Sequence, residues 1–210
     1  MSTIEAIIFD LGGCIINIDY PRTILAFNAL HKADISVPYS QDDQADLFDA
    51  FEMGAISAIE FRQELREILG IECDDPTLDQ AWNAMLLDIP LQRIELLEAL
   101  AQQKRLFLLA NSNEIHRAAI KDIFQKTCGH QYASLDELFE QTYYSHQMGD
   151  RKPNPSMFKQ VLDAQNLEPN QTLIIDDKAA NIKAAEELGL QTFHLMKGKS
   201  LMNLAWLKTN

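Results

Sequence analysis

The chain has 210 residues, with 18 Lys plus Arg against 31 Asp plus Glu, a formal net charge of −13 with His neutral. So anionic a chain has few cations to lend to a phosphate backbone, where binding draws on counterion release, and nucleic acid is excluded as a partner. At 47% hydrophobic and 23% charged it has the composition of a folded globular protein; its longest apolar stretches, such as Ala6 to Phe9 and Leu106 to Ala110, fall far short of the roughly 20 residues of a membrane helix, so no membrane partner is expected.

The first predicted element is a strand, Ile4 to Phe9. Its apolar run stops at Asp10, well before the roughly 7 to 15 residues of a secretory core, and no basic stretch precedes it, so the cytoplasm is the expected location. Residues 17 to 90 then change pattern. They hold 15 Asp plus Glu and 4 Lys plus Arg, a net of −11, which leaves −2 for the remainder. Apolar residues recur there at helical spacing: Ile24, Phe27 and Leu30; Leu47, Phe48 and Phe51; Phe61, Leu65, Ile68 and Leu69. Ser57 and Glu60 stand in capping-box spacing before the third helix and Gly70 ends it, and a fourth is expected over Pro76 to Leu87.

Beyond residue 90, short apolar runs alternate with helical patterns. Strands are predicted at Leu106 to Ala110, Thr142 to Ser145, Thr172 to Ile175 and Gln191 to Leu195. Helices are expected near 91–104, 113–126, 155–166 and 178–188. Such alternation implies an α/β fold, a doubly wound parallel sheet covered by helices on both faces. The expected division is a core of residues 1–16 and 91–210 with an all-helical insertion over 17–90. Cys14, Cys73 and Cys128 are odd in number and widely spaced, and read as reduced thiols.

Open parallel sheets bind ligands at the carboxyl ends of their strands. The first strand ends in Asp10, Leu11, Gly12 and Gly13, the second in Asn111, Ser112 and Asn113, the fourth in Asp176 and Asp177; Arg151, Lys152 and Pro153 follow the third. Side-by-side strands would bring three carboxylates, a hydroxyl and a lysine to one edge. Carboxylates so gathered call for a cation, and hard oxygen donors without His or Cys suit Mg²⁺, which completes its shell with water and a substrate phosphate. Lys152 and Ser112 are the groups a transferring phosphoryl needs around its oxygens, and Asp10, on a Gly-rich turn, is placed to attack phosphorus.

In these four motifs the chain resembles the haloacid dehalogenase (HAD) superfamily of phosphohydrolases, in the subclass with a helical cap inserted after the first motif. The motifs are Phe9-Asp10-Leu11-Gly12-Gly13, Leu108 to Asn113, Arg151-Lys152-Pro153, and Ile175-Asp176-Asp177 with Asn181. The resemblance implies Asp10 as nucleophile, Ser112 and Lys152 as phosphate holders with Asn113 and Gly13 beside the substrate, and Asp10, Asp177, Asp176 and the Gly12 carbonyl on the Mg²⁺ side. The implied reaction is hydrolysis of a small phosphorylated metabolite through an aspartyl phosphate. One position departs from the pattern, since most phosphatases of the superfamily carry a general-acid Asp where Gly12 stands. A missing general acid costs about 10² to 10⁴ in rate for a poor leaving group. The chain is also similar to a subset of sugar 1-phosphate phosphatases, which share the Asp-Leu-Gly opening, the run Asn17-Ile18-Asp19-Tyr20 and the phrase around Gly54 to Ser57, so a sugar 1-phosphate is an expected substrate. Asn17, Asp19 and Glu52 are the candidates for an alternative proton donor. Two other readings stay open: a non-catalytic phosphosugar-binding protein, and a metal-free dehalogenase of the same fold. The acidic insertion disfavours polyanionic substrates under any of them.

Overall fold

The computed structural model describes residues 3–30, 46–129 and 131–208. Its sheet has five parallel strands: β1 (Ala6–Phe9), β2 (Arg105–Ala110), β3 (Gln141–Tyr144), β4 (Thr172–Asp176) and β5 (Gln191–His194), in the order 3-2-1-4-5. Successive side chains of a strand point to opposite faces, and the sequence fills both sides. Ile7 and Phe9 of β1 pack with Leu106, Leu108 and Ile175 on one face, while Ala6 and Ile8 pack with Phe107, Leu109 and Ile174 on the other. All four residues of β1 are buried, so the central strand reads as a continuous apolar run.

The chain steps from β1 outward through β2 to β3, then crosses back to place β4 on the other side of β1. That reversal opens a crevice past the ends of β1 and β4, the position where open α/β sheets take ligands. Phe9 is level with Ile175, and the Asp10 amide donates to the Ile175 carbonyl at 2.9 Å, so Asp10 and the Asp176–Asp177 pair emerge side by side.

Between β1 and β2 run α1 (Tyr20–Leu30), α2 (Asp46–Glu52), α3 (Ala58–Leu69), α4 (Asp75–Trp82), a 3₁₀ turn (Asn83–Met85) and α5 (Leu91–Ala101). Residues 31–45 of the predicted insertion lie outside the described residues. The capping box is present at α3: Ser57 Oγ accepts from the Glu60 amide at 3.3 Å, Glu60 Oε2 accepts from the Ser57 amide at 2.8 Å, and Gly70 ends the helix at φ 62°. The predicted fourth helix is shorter than Pro76 to Leu87. It stops at Trp82 and tightens into the 3₁₀ turn, and Ile18 pairs antiparallel with Leu86 just beyond.

The apolar faces of α1 to α4 meet in a cluster separate from those of the sheet. Trp82 is its hub, with ring centroids 5.1 Å from Phe48, 5.3 Å from Phe61 and 6.3 Å from Phe27. The remaining helices are α6 (Glu114–Cys128), α7 (Ser145–Met148), α8 (Pro155–Gln165) and α9 (Ala179–Glu187), and a 3₁₀ segment (Leu201–Lys208) follows β5. Ile115 of α6 joins the Trp82 cluster and ties the two regions together. No helix among the described residues is long and apolar enough to cross a membrane.

Candidate active site

Asp10, Asp176 and Asp177 each present a carboxylate oxygen within 4.8 Å of the others. Lys152 reaches into this group from the loop after α7, with Nζ 2.7 Å from Asp10 Oδ1 and 2.6 Å from Asp176 Oδ2, and only 2% of the residue is exposed. Burial pushes the Asp10 carboxyl up to about 7, with Asp176 and Asp177 adding to the rise and Lys152 opposing it. Burial would lower the Lys152 ammonium, but its two carboxylate partners hold it above the usual lysine range. Two of the three carboxylates, those of Asp10 and Asp176, thus share this buried ammonium.

The supporting bonds distinguish the roles of the three acids. Asp176, with no exposed surface, accepts from Lys152, from the Lys178 amide at 2.8 Å and from Asn181 Nδ2 at 2.9 and 3.0 Å. Both its oxygens are engaged, so it orients Lys152 and the turn into α9. Asp177 lies against Gly13, where an added Cβ would stand 2.4 Å from Asp177 Oδ2; the φ of 71° there also favours glycine. The hard-oxygen set of Asp10, Asp177 and the Gly12 backbone, with Asp176 behind it, fits a divalent cation of the Mg²⁺ kind.

Lys152 is fixed from behind. Its amide donates to Asn111 Oδ1 at 2.9 Å, and Asn111 Nδ2 donates to its carbonyl at 2.8 Å. Ser112, 3% exposed, lines the same cavity; its amide and carbonyl are held by Ser145 and its carbonyl also by His146, and none of these bonds uses the hydroxyl. Asn113 takes the helix-capping place that its residue type favours. It is fully buried, caps α6 by accepting from the His116 amide at 2.9 Å, and does not line the cavity. Gly13 likewise backs Asp177 rather than the cavity itself.

Residues from the helical segment close the cavity: Ile18, Tyr20, Glu52, Met85 and Leu86. Of the expected proton donors, Asn17 is bonded to Asp88 and Arg93 and Asp19 is paired with Arg22, and neither lines the cavity. Glu52 does line the cavity, and it is held by Arg151 at 3.0 Å; Arg151 also pairs with Asp49. Arg151, the neighbour of Lys152, therefore fastens α2 to the loop that carries the lysine. At Gly12 an added Cβ would meet Ile18 Cδ1 at 2.6 Å, so Ile18 fills the space where the usual acid would project.

His116 belongs to none of the four motifs, yet the fold brings it to the cavity. It is 5% exposed, lines the cavity, and stacks on Trp82 with centroids 4.6 Å apart at 12°. Its position four residues after Ser112, on a helix starting at the catalytic edge of the sheet, was the available signal.

The sequence profile of the haloacid dehalogenase-like hydrolase family matches residues 4–189. D-ribitol-5-phosphate phosphatase of Bacteroides thetaiotaomicron is 30% identical over 199 residues, which cover 93% of each chain. A HAD family enzyme of B. thetaiotaomicron, solved in complex with magnesium and inorganic phosphate, shares 33% identity at a TM-score of 0.85, covering 96% of this chain and 99% of that one. A HAD-like family hydrolase of Porphyromonas gingivalis matches at 32% identity and a TM-score of 0.85, over 97% and 96% of the two chains. With this match along nearly its whole length, over a parallel sheet whose strand ends gather Asp10, Lys152, Asp176 and Asp177, the chain belongs to the haloacid dehalogenase-like hydrolase family.

Proposed function

We propose that the protein is a Mg²⁺-dependent phosphatase of small sugar or polyol phosphates, working through an aspartyl phosphate on Asp10. The observation that carries this reading is the cluster itself: a buried lysine bonded to Asp10 and Asp176, with Asp177 beside them, in a cavity closed by an inserted helical segment. The relatives that bind magnesium and phosphate, or act on D-ribitol 5-phosphate, support the metal and the substrate class.

Asp10, Asp177, the Gly12 carbonyl and, behind them, Asp176 would hold the metal. When bound, Mg²⁺ supplies positive charge that offsets the phosphate oxygens and the crowded carboxylates. A cation there also favours the ionised form of Asp10, the form able to attack. Ser112 and Lys152 orient the phosphoryl group and neutralise the charge that builds on it. An Asp10 oxygen forms a bond to phosphorus as the bond to the leaving oxygen breaks, and the leaving oxygen takes a proton from water. Water then attacks phosphorus, returns Asp10 to its carboxylate and releases inorganic phosphate.

Residues 17–90 act as the cap in this account, with the rest as the core. The cap excludes bulk water and selects the leaving group. A small part of its negative charge is offset locally, in the Arg62–Asp79, Arg66–Asp75 and Arg151–Glu52 pairs. A sugar 1-phosphate has the better leaving group for a site without an acid at Gly12, while the ribitol phosphatase relative favours a terminal polyol ester. A panel of both, assayed with Mg²⁺, with EDTA and with Asp10→Asn, tests the reading; turnover surviving in EDTA or in the variant overturns it.

A further inference from the structure

His116 Nδ1 lies 2.7 Å from Asn83 Oδ1. An amide oxygen only accepts, so Nδ1 carries the ring proton and Nε2 is left with a bare lone pair. Nε2 is shielded from solvent and has no hydrogen-bond partner among the described residues. A buried acceptor without a donor is costly, and native proteins keep one where a ligand or water supplies the missing bond. The ring cannot turn to escape this, because Trp82 covers one face and Asn83 holds the opposite nitrogen. It borders the cavity of Asp10, Ser112 and Lys152, whose wall towards the helical segment is formed by Ile18, Met85 and Leu86 together with the polar side chains of Tyr20 and Glu52.

We propose that His116 Nε2 accepts a hydrogen bond from a hydroxyl of the substrate's leaving group, which makes the site selective for phosphate monoesters of polyhydroxylated alcohols. This inference rests on the phosphatase reading and deepens it. Burial pushes the imidazole down to about 3, so the ring stays neutral at any pH where the enzyme is folded and active. Neutral, with its proton on Nδ1, it has nothing to give a departing alkoxide. His116 is therefore a specificity residue and does not replace the acid missing at Gly12.

Two esters separate this role from a structural one. One is p-nitrophenyl phosphate, whose leaving group has no further hydroxyl; the other is the sugar or polyol monophosphate that the wild type turns over best from a panel including D-ribitol 5-phosphate. His116→Leu should lose about 10- to 100-fold in kcat/KM on the polyol ester, largely through KM, and stay within about threefold on p-nitrophenyl phosphate. His116→Gln, which offers an amide oxygen, should recover part of the loss. Equal losses on both esters, or none on the polyol ester, overturn the proposal. Ring ¹⁵N spectra of Asp10→Asn provide a readout free of turnover. They should show the Nδ1–H tautomer, with an Nε2 resonance that moves on adding the polyol phosphate and not on adding inorganic phosphate. An Nε2–H tautomer, or an unmoved resonance, overturns it. If the wild type hydrolyses neither ester, the phosphatase reading fails and the spectra alone decide whether His116 binds the polyol.

Discussion

Replacing Lys152 with Met keeps most of the side chain's length and removes its charge. The ammonium it removes sits 2.7 Å from Asp10 and 2.6 Å from Asp176, with 1% of the lysine side chain exposed. Breaking a buried pair leaves uncompensated charge and costs about 3–5 kcal/mol. Asp176 keeps its bonds to the Lys178 amide and Asn181, so the lower end, about 3 kcal/mol, is expected. Mg²⁺ bound among the same carboxylates offsets part of that loss by mass action, by about 2.7 kcal/mol at 100 times its dissociation constant. Urea unfolding of both proteins, in EDTA and in saturating Mg²⁺, measures each quantity. The variant should be strongly destabilised in EDTA and should gain from Mg²⁺, and its turnover of p-nitrophenyl phosphate should fall by about 10² or more. A variant within about 0.5 kcal/mol of the wild type in EDTA, the range of an ordinary surface change, would refute the reasoning.

Gly13→Ala places a methyl group 2.4 Å from Asp177 Oδ2 at a φ of 71°, so Asp177 must move; calorimetry should show Mg²⁺ affinity reduced by about tenfold or more, and unchanged affinity would separate Asp177 from the metal. His116 titrates near 3 when folded against 6.5 ordinarily, so the unfolded chain takes up the proton first. Its contribution is intact above about pH 6.5 and is lost as pH falls towards 3, so the stability gap between wild type and His116→Gln should narrow by about 1.4 kcal/mol from pH 7.5 to 5.5. A gap independent of pH contradicts the buried neutral ring. Gly12→Asp alone meets Ile18 Cδ1, whereas Gly12→Asp with Ile18→Ala has room for the acid. The double variant should turn over a simple alkyl phosphate about tenfold faster than the wild type, and no gain would show that the protonation step is not limiting.

The sheet was legible because its signals are local. A strand buried on both faces must be apolar throughout, and Ala6 to Phe9 is; the polar residues that follow such a run stand at the ligand-binding edge by topology alone. The helix at Ala58–Leu69 was equally readable, since Ser57, Glu60 and Gly70 act within a few residues of one another. What escaped depends on contacts between distant segments. Asn17 and Asp19 looked near Asp10 in sequence, but Asp88, Arg93 and Arg22 draw them elsewhere. Nor does spacing reveal that Arg151 grips Asp49 and Glu52, or that Asn83 fixes the tautomer of His116.

The central claim is that Asp10 carries the phosphoryl group. Rapid acid quench during turnover with Mg²⁺, followed by peptide mass spectrometry, tests it directly. The account predicts a transient phosphoryl adduct on Asp10, absent in EDTA and in Asp10→Asn. Steady turnover with no adduct during the burst, or an adduct on any other residue, would contradict it.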